Sequence, residues 1–133
     1  MKYLLDTNTC IRYLNGTSRT VLDRILAIAD DDIATSAITR AELYFGAEKS
    51  RDPEHSRRGQ DRFLARFRSL AFDDAAAAFY ASVRARTERS GTPIGPNDLL
   101  IAAIALTHSL TLVTHNTREF SRVPDLSLDD WEI

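Results

Sequence analysis

The stretch Tyr3-Leu4-Leu5-Asp6-Thr7-Asn8 decides the architecture. Lys2–Asp6 reads as a short buried strand, and Thr7–Leu14 as a helix that starts directly from it until Gly16 breaks it. A strand that turns at once into a helix is the opening of a parallel crossover unit, and the rest of the chain repeats the alternation. Ser18 or Thr20 caps a helix carrying Val21, Leu22, Ile25, Leu26 and Ile28, and Asp30-Asp31-Asp32 is a loop before a strand at Ile33-Ala34-Thr35. Ser36 is an N-cap for a helix to about Glu48. Pro53 opens an amphipathic helix with Phe63, Leu64, Phe67 and Leu70 inward, and Leu70–Phe72 is a brief strand. Asp73 or Asp74 caps Ala75–Glu88, which Gly91 ends. The turn Gly91–Pro96 delivers Asn97-Asp98 to Leu99–Leu106, apolar all round and therefore a core helix. Leu110–Thr114 is a strand, Thr117–Phe120 a short helix, and Leu126–Leu128 a closing edge strand. The expectation is one α/β domain, residues 1–133, around a parallel sheet.

Three acids interrupt these buried stretches. Asp6 closes the first strand, Glu42 borders the stripe Ile38, Ala41, Phe45, and Asp98 opens the core helix. A carboxylate set against a core costs several kcal/mol unless a partner compensates it. The only lysines are Lys2 and Lys49, so the natural compensation is a divalent metal. In parallel sheets functional groups gather beyond the carboxyl ends of the strands. Asp6, the Ser36–Glu42 helix and Asn116 map to that edge, and Asp98 joins them if its helix starts there. Each residue also has a plainer reading: Asp6 as a helix cap, Glu42 as a solvated charge, Asp98 as an acid favoured by the helix dipole, Asn116 as a turn residue.

Composition sets the bounds. With 133 residues, 44% hydrophobic and 27% charged, the chain suits a self-sufficient core. No apolar run approaches the roughly 20 residues of a membrane span, and Met1-Lys2 leads to Asp6 without a signal-peptide core. Cys10 is the sole cysteine, which excludes an internal disulfide and fits a reducing cytoplasm; its expected role is a buried hydrophobe. Net charge is −2, but Lys49–Arg68 holds seven basic and three acidic residues, a local excess of four positive charges. Within it Arg58, Arg62 and Arg66 form an i, i+4, i+8 stripe suited to phosphate, or else a solvated helix face.

Four blocks carry a family resemblance: Leu4-Leu5-Asp6-Thr7-Asn8, Ile38-Thr39-Arg40-Ala41-Glu42-Leu43, Gly95-Pro96-Asn97-Asp98, and Thr114-His115-Asn116-Thr117-Arg118-Glu119-Phe120. Together they resemble the signature blocks of PIN-domain ribonucleases, and more narrowly the VapC toxins of bacterial type II toxin–antitoxin pairs. Gly91–Pro96 and the closing Asp129-Asp130-Trp131 are similar to the subgroup with enterobacterial plasmid toxins. The resemblance implies a five-stranded parallel sheet and Mg²⁺- or Mn²⁺-dependent cleavage of RNA. Asp6, Glu42 and Asp98 match the family's acids and are the expected metal ligands. Asn116 stands where many members have aspartate, and Glu119 can supply that carboxylate from the same helical face. Asn8, with Arg58, Arg62 and Arg66, is a candidate substrate-binding residue.

The resemblance further implies a cytoplasmic homodimer, neutralised in a hetero-oligomer by a cognate VapB-type antitoxin. Ala75–Ala78 with Phe79-Tyr80 offers a face for helix contact, or else packs internally. The expected substrate is a structured RNA, with the anticodon loop of initiator tRNA favoured. Tyr13, Tyr44 and Phe45 are aromatic residues capable of stacking on its bases. Rivals fit less well. A haloacid-dehalogenase-type phosphatase needs a second aspartate where Asn8 stands and a late lysine; a receiver domain also lacks its lysine. No Walker-type loop is present, and His55, His108 and His115 show no metal-ligand spacing. The non-enzymatic alternative is an inactive PIN-fold RNA-binding or adapter module, which Asn116 favours and the three acids disfavour.

Overall fold

In the computed structural model, which describes residues 1–133, five parallel strands stand in the order β3-β2-β1-β4-β5. They are β1 (Tyr3–Leu5), β2 (Ile33–Ser36), β3 (Arg68–Leu70), β4 (Thr111–Val113) and β5 (Leu128–Asp129). The central strand is β1, with Leu4 beside Ala34 on one side and beside Leu112 on the other. Successive side chains leave a strand on opposite faces, so these three strands build two cores at once. Leu4, Ala34 and Leu112 enter one; Leu5, Ile33 and Val113 enter the other. Burial on both faces explains why the strands read as continuous apolar runs.

Helices α1 (Thr7–Asn15), α2 (Arg19–Ala27) and α4 (Pro53–Leu64) cover the second face, and α5 (Asp74–Arg89) and α6 (Pro96–Thr107) the first. Helix α3 (Ala37–Glu48) feeds both, Ile38 to the first core and Leu43 to the second; α7 (Thr117–Phe120) places Phe120 in the first. Side-chain caps set several starts. Thr9 donates its amide to Asp6 at 2.8 Å, Val21 to Ser18, Thr39 to Ser36 at 3.1 Å and Ala76 to Asp73. Proline stands at the first turn of α4 and α6, where its missing N–H costs nothing. Gly16 ends α1 in the left-handed conformation at φ 65°, where a side chain would be strained.

The sequence places three boundaries differently. β3 lies two residues earlier than Leu70–Phe72, as an edge strand with Arg68 and Ser69 exposed, a charged edge that discourages further pairing. β5 is Leu128–Asp129, not Leu126–Leu128. Helix α4 stops at Leu64, so Phe67 and Leu70 are buried beyond its end. The closing Trp131 is 1% exposed, edge-on to Tyr3 at 5.1 Å, and seals the second core.

Candidate active site

After β1, β2 and β3 the chain crosses back over the sheet to β4, so the strand order reverses between β1 and β4. Such a switch point opens a crevice at the carboxyl ends of the strands. Asp6 follows β1 there, its amide bonded across to the Val113 carbonyl at 3.0 Å. The side chain is 4% exposed and also caps α1, so the cap and a role in a site coexist. Burial raises its pKa, hydrogen bonds from Thr114 and Thr9 oppose the rise, and Glu132 reinforces it.

Glu42 reaches the same crevice from α3. Thr7 donates its hydroxyl to Glu42 Oε1 at 2.6 Å and lies 3.0 Å from the Thr39 hydroxyl, tying the start of α1 to α3. Asp98 occupies the first turn of α6. Its pKa is raised to about 6, mostly by burial and then by the charges of Glu119, Asp6 and Glu42. Those contributions bring the four carboxylates, from four separate helix starts and faces, into one field. Glu119 accepts the Gly95 amide at 2.8 Å and the Asn116 side-chain amide at 2.9 Å, and both bonds hold its pKa down. Burial thus pushes Asp6 and Asp98 toward the protonated form, while Glu119 stays charged. A Cβ at Gly95 would lie 3.6 Å from Glu119 Oε1 and 3.8 Å from Asp98 Oδ2, so the two carboxylates flank one backbone turn.

No lysine, arginine or histidine forms an ion pair with Asp6, Glu42, Asp98 or Glu119. The donor set, all carboxylate and amide oxygen, suits a hard divalent cation. Yet no three acids, histidines or cysteines stand close enough to form a ready-made metal group. The two facts agree for a small cation that keeps several waters and takes only one or two carboxylates directly.

The substrate-binding candidates separate. Asn8 is exposed at the start of α1 and shares a cavity with Thr7, Glu42 and Asn97. Arg58 and Arg62 are exposed without ion pairs, Arg58 in a different groove with Glu48 and Glu54. Arg66 is not on their stripe: it lies past the end of α4, paired to Asp30 at 3.0 Å and donating to the Tyr13 hydroxyl at 2.9 Å. His115 bonds Asp130 at 2.9 Å, and that carboxylate raises its pKa. Sequence reasoning missed Thr7, Thr39, Thr114 and the Gly95 amide, which orient the acids, and Glu132, which adds charge near Asp6. Most of their partners are distant in sequence, so nothing local marks their roles.

A set of clustered, cation-free carboxylates at the switch point of a parallel sheet defines an acid-lined hydrolase-type site. The PIN domain family matches residues 3–126. The chain is 38% identical over 131 residues, 98% of each protein, to the tRNA(fMet)-specific endonuclease VapC of Salmonella typhimurium. It is 38% identical over 133 residues, 99% of each, to ribonuclease VapC2 of Rickettsia felis. A solved structure of DNA-bound VapBC from Salmonella typhimurium superposes with TM-score 0.93 at 38% identity, covering 98% of both chains. The chain belongs to the PIN-domain family, among its VapC ribonucleases.

Proposed function

We propose that residues 1–133 are a single PIN domain that cleaves RNA with Mg²⁺ or Mn²⁺, as the toxin of a type II toxin–antitoxin pair. The observation that carries the reading is the group of Asp6, Glu42, Asp98 and Glu119 in one field with no ion-pair partner. Left alone, that charge would repel a phosphate backbone, so the site makes chemical sense with cations in it. Asp6, Asp98 and Glu42 are the residues that would hold the metal, one or two of them directly and the rest through its waters. When bound, a divalent ion makes hydroxide available near neutral pH and offsets charge on the reacting phosphate.

The chain's own groups do the positioning. Thr7 fixes Glu42, and Thr9 with Thr114 fixes Asp6. Gly95 and Asn116 hold Glu119 in its charged form beside the start of α6. In the metal-free site Asp98 is raised to about 6 by burial and by its acidic neighbours, a cost that a bound cation would relieve. The adapter reading draws on Asn116 alone, and Glu119 keeps a carboxylate within a hydrogen bond of it.

For substrate, the Salmonella relative named for tRNA(fMet) supports initiator tRNA, cut in its anticodon loop. VapBC complexes among structural neighbours support a VapB-type antitoxin as partner. No helix is long and apolar enough to cross a membrane. The test is digestion of total RNA with Mg²⁺ or Mn²⁺, with mapping of the new ends. New ends in the initiator anticodon loop, absent in Asp98→Asn and in EDTA, are expected, with elongator methionine tRNA spared. Full activity in Asp98→Asn or in EDTA overturns the mechanism; equal cutting of both methionine tRNAs removes only the specificity.

A further inference from the structure

A cavity of about 560 Å³, within the roughly 300–1,000 Å³ of ligand sites, adjoins the carboxylates between α1 and α3. One half is polar: Thr7, Asn8, Glu42 and Asn97. The other half is apolar, built from Ile11, Ile38, Ala41 and Phe45. Phe45 is 63% exposed, an unusual state for an aromatic ring beside a helix seam. Lys49, which does not line the cavity, places its ammonium 4.6 Å from the ring centroid. Lys49 covers part of the ring, and Phe45 itself lines the cavity and stays largely exposed.

The other stacking candidates are occupied. Tyr13 lies stacked on Phe63 at 4.8 Å and accepts from Arg66. Tyr44 has the Arg57 guanidinium 3.4 Å over its ring and donates to Asp61 at 2.6 Å. Only Phe45 offers an open π-face next to the acids.

We infer that Phe45 is the stacking platform for one unpaired base of the RNA substrate, with the Asn8 and Asn97 amides reading that base's edge. The inference rests on the ribonuclease reading and adds a specificity determinant to it. Single-stranded RNA is recognised by bases stacked on aromatic rings and hydrogen-bonded along their edges, and each amide offers both donor and acceptor. Glu42 lines the cavity and belongs to the carboxylate group, so a base on Phe45 belongs to a nucleotide close to the scissile phosphate. Lys49 lies where that nucleotide's backbone charge would be attracted.

The experiment measures binding of a labelled hairpin RNA with Mg²⁺, in an Asp98→Asn background that does not cut, scanning its loop one abasic site at a time, for the wild-type residue at 45, Phe45→Ala and Phe45→Tyr. Phe45 is largely exposed, so its truncation leaves the cores intact. With Phe45 present, the RNA should lose about tenfold or more in affinity at one loop position, the scale of one base–aromatic stack. Phe45→Ala should lose as much on intact RNA and nothing further at that position; Phe45→Tyr should restore both. In cleavage with Mg²⁺, Phe45→Ala should raise KM more than it lowers kcat. Wild-type affinity in Phe45→Ala, or unchanged abasic penalties, overturns the subsite while an active wild type keeps the ribonuclease reading. If Phe45→Ala keeps RNA affinity and loses affinity for an antitoxin peptide, the cavity belongs to a protein partner and the inference fails. If wild type neither binds nor cuts RNA, both readings fall together.

Discussion

Replacing Asp98 by asparagine should stabilise the metal-free protein at neutral pH while removing its activity. The carboxyl of Asp98 moves from an ordinary value of 3.8 in the unfolded chain to about 6 in the fold. Between these values the native state binds more protons than the unfolded state, so stability falls as pH rises from about 4 to 6 and stays low above. The full shift corresponds to about 3 kcal/mol. Asp98 is only half-buried and water screens its neighbours, so about 1–2 kcal/mol is the expected size. Asparagine keeps the shape and removes the charge. At pH 8 in EDTA, Asp98→Asn should therefore unfold at a higher temperature by roughly 4–8 °C, and at pH 4 by almost nothing. Trp131, the only tryptophan and fully buried, reports unfolding by fluorescence.

Mg²⁺ should reverse the order. A cation that binds only the folded state stabilises it by mass action, more in wild type than in a variant short of one ligand. Under the same conditions RNA cleavage by Asp98→Asn should fall at least about a hundredfold. A variant less stable than wild type at pH 8 in EDTA, or a difference that does not change with pH, refutes the argument from burial and repulsion.

Thr7→Val should cost about 1 kcal/mol, since Glu42 loses its hydroxyl donor. It should lower kcat with little change in KM; unchanged kcat would show that Glu42 needs no positioning. Among the arginines, Arg58→Gln with Arg62→Gln should reduce the salt slope of RNA binding by roughly 0.7 for each phosphate no longer neutralised. Arg66→Gln should leave that slope alone and cost under about 1 kcal/mol of stability, because its solvent-screened partners are Asp30 and Tyr13. A slope that responds to Arg66 and not to Arg58 would reverse this assignment. On α5, Ala75, Ala77 and Ala78 are exposed beside Phe79, which is 41% exposed, the face proposed for a homodimer. Light scattering should give a dimer at micromolar concentration that Phe79→Asp weakens; a wild-type monomer refutes it.

What the sequence discloses follows how local each signal is. The apolar run ending at Asp6 and the all-apolar helix behind Asp98 show in sequence because the buried strand and helix leave continuous patterns. The edge strands are harder. β3 exposes Arg68 and Ser69, and the apolar Leu70 and Phe72 draw a pattern reading two residues too far. The arginine stripe assumes a helix through Arg66, and nothing like glycine or proline marks the stop at Leu64. Phe63, Leu64 and Phe67 are all buried and keep the spacing of one helical face, so the apolar pattern runs on past the true end of the helix. Thr7, Thr39 and Thr114 give no warning because a threonine that caps, positions or merely fills space looks the same in sequence.

The replacement of the fourth aspartate by Asn116 has a physical consequence of its own. An aspartate there would face Glu119 with like charge; asparagine instead donates its amide to Glu119 Oε2 at 2.9 Å. The same glutamate accepts from Gly95, so its two oxygens link the end of β4 to the turn before α6. Both bonds stabilise the charged form, and the lowered pKa of Glu119 follows. That fixed charge is the largest electrostatic contribution raising Asp98. Asn116 thus acts on Asp98 through Glu119: it helps keep one carboxylate ionised, and that charge helps raise the other. In the metal-binding group proposed here, asparagine at 116 keeps Glu119 charged without adding a fifth carboxylate beside Asp6, Glu42, Asp98 and Glu119.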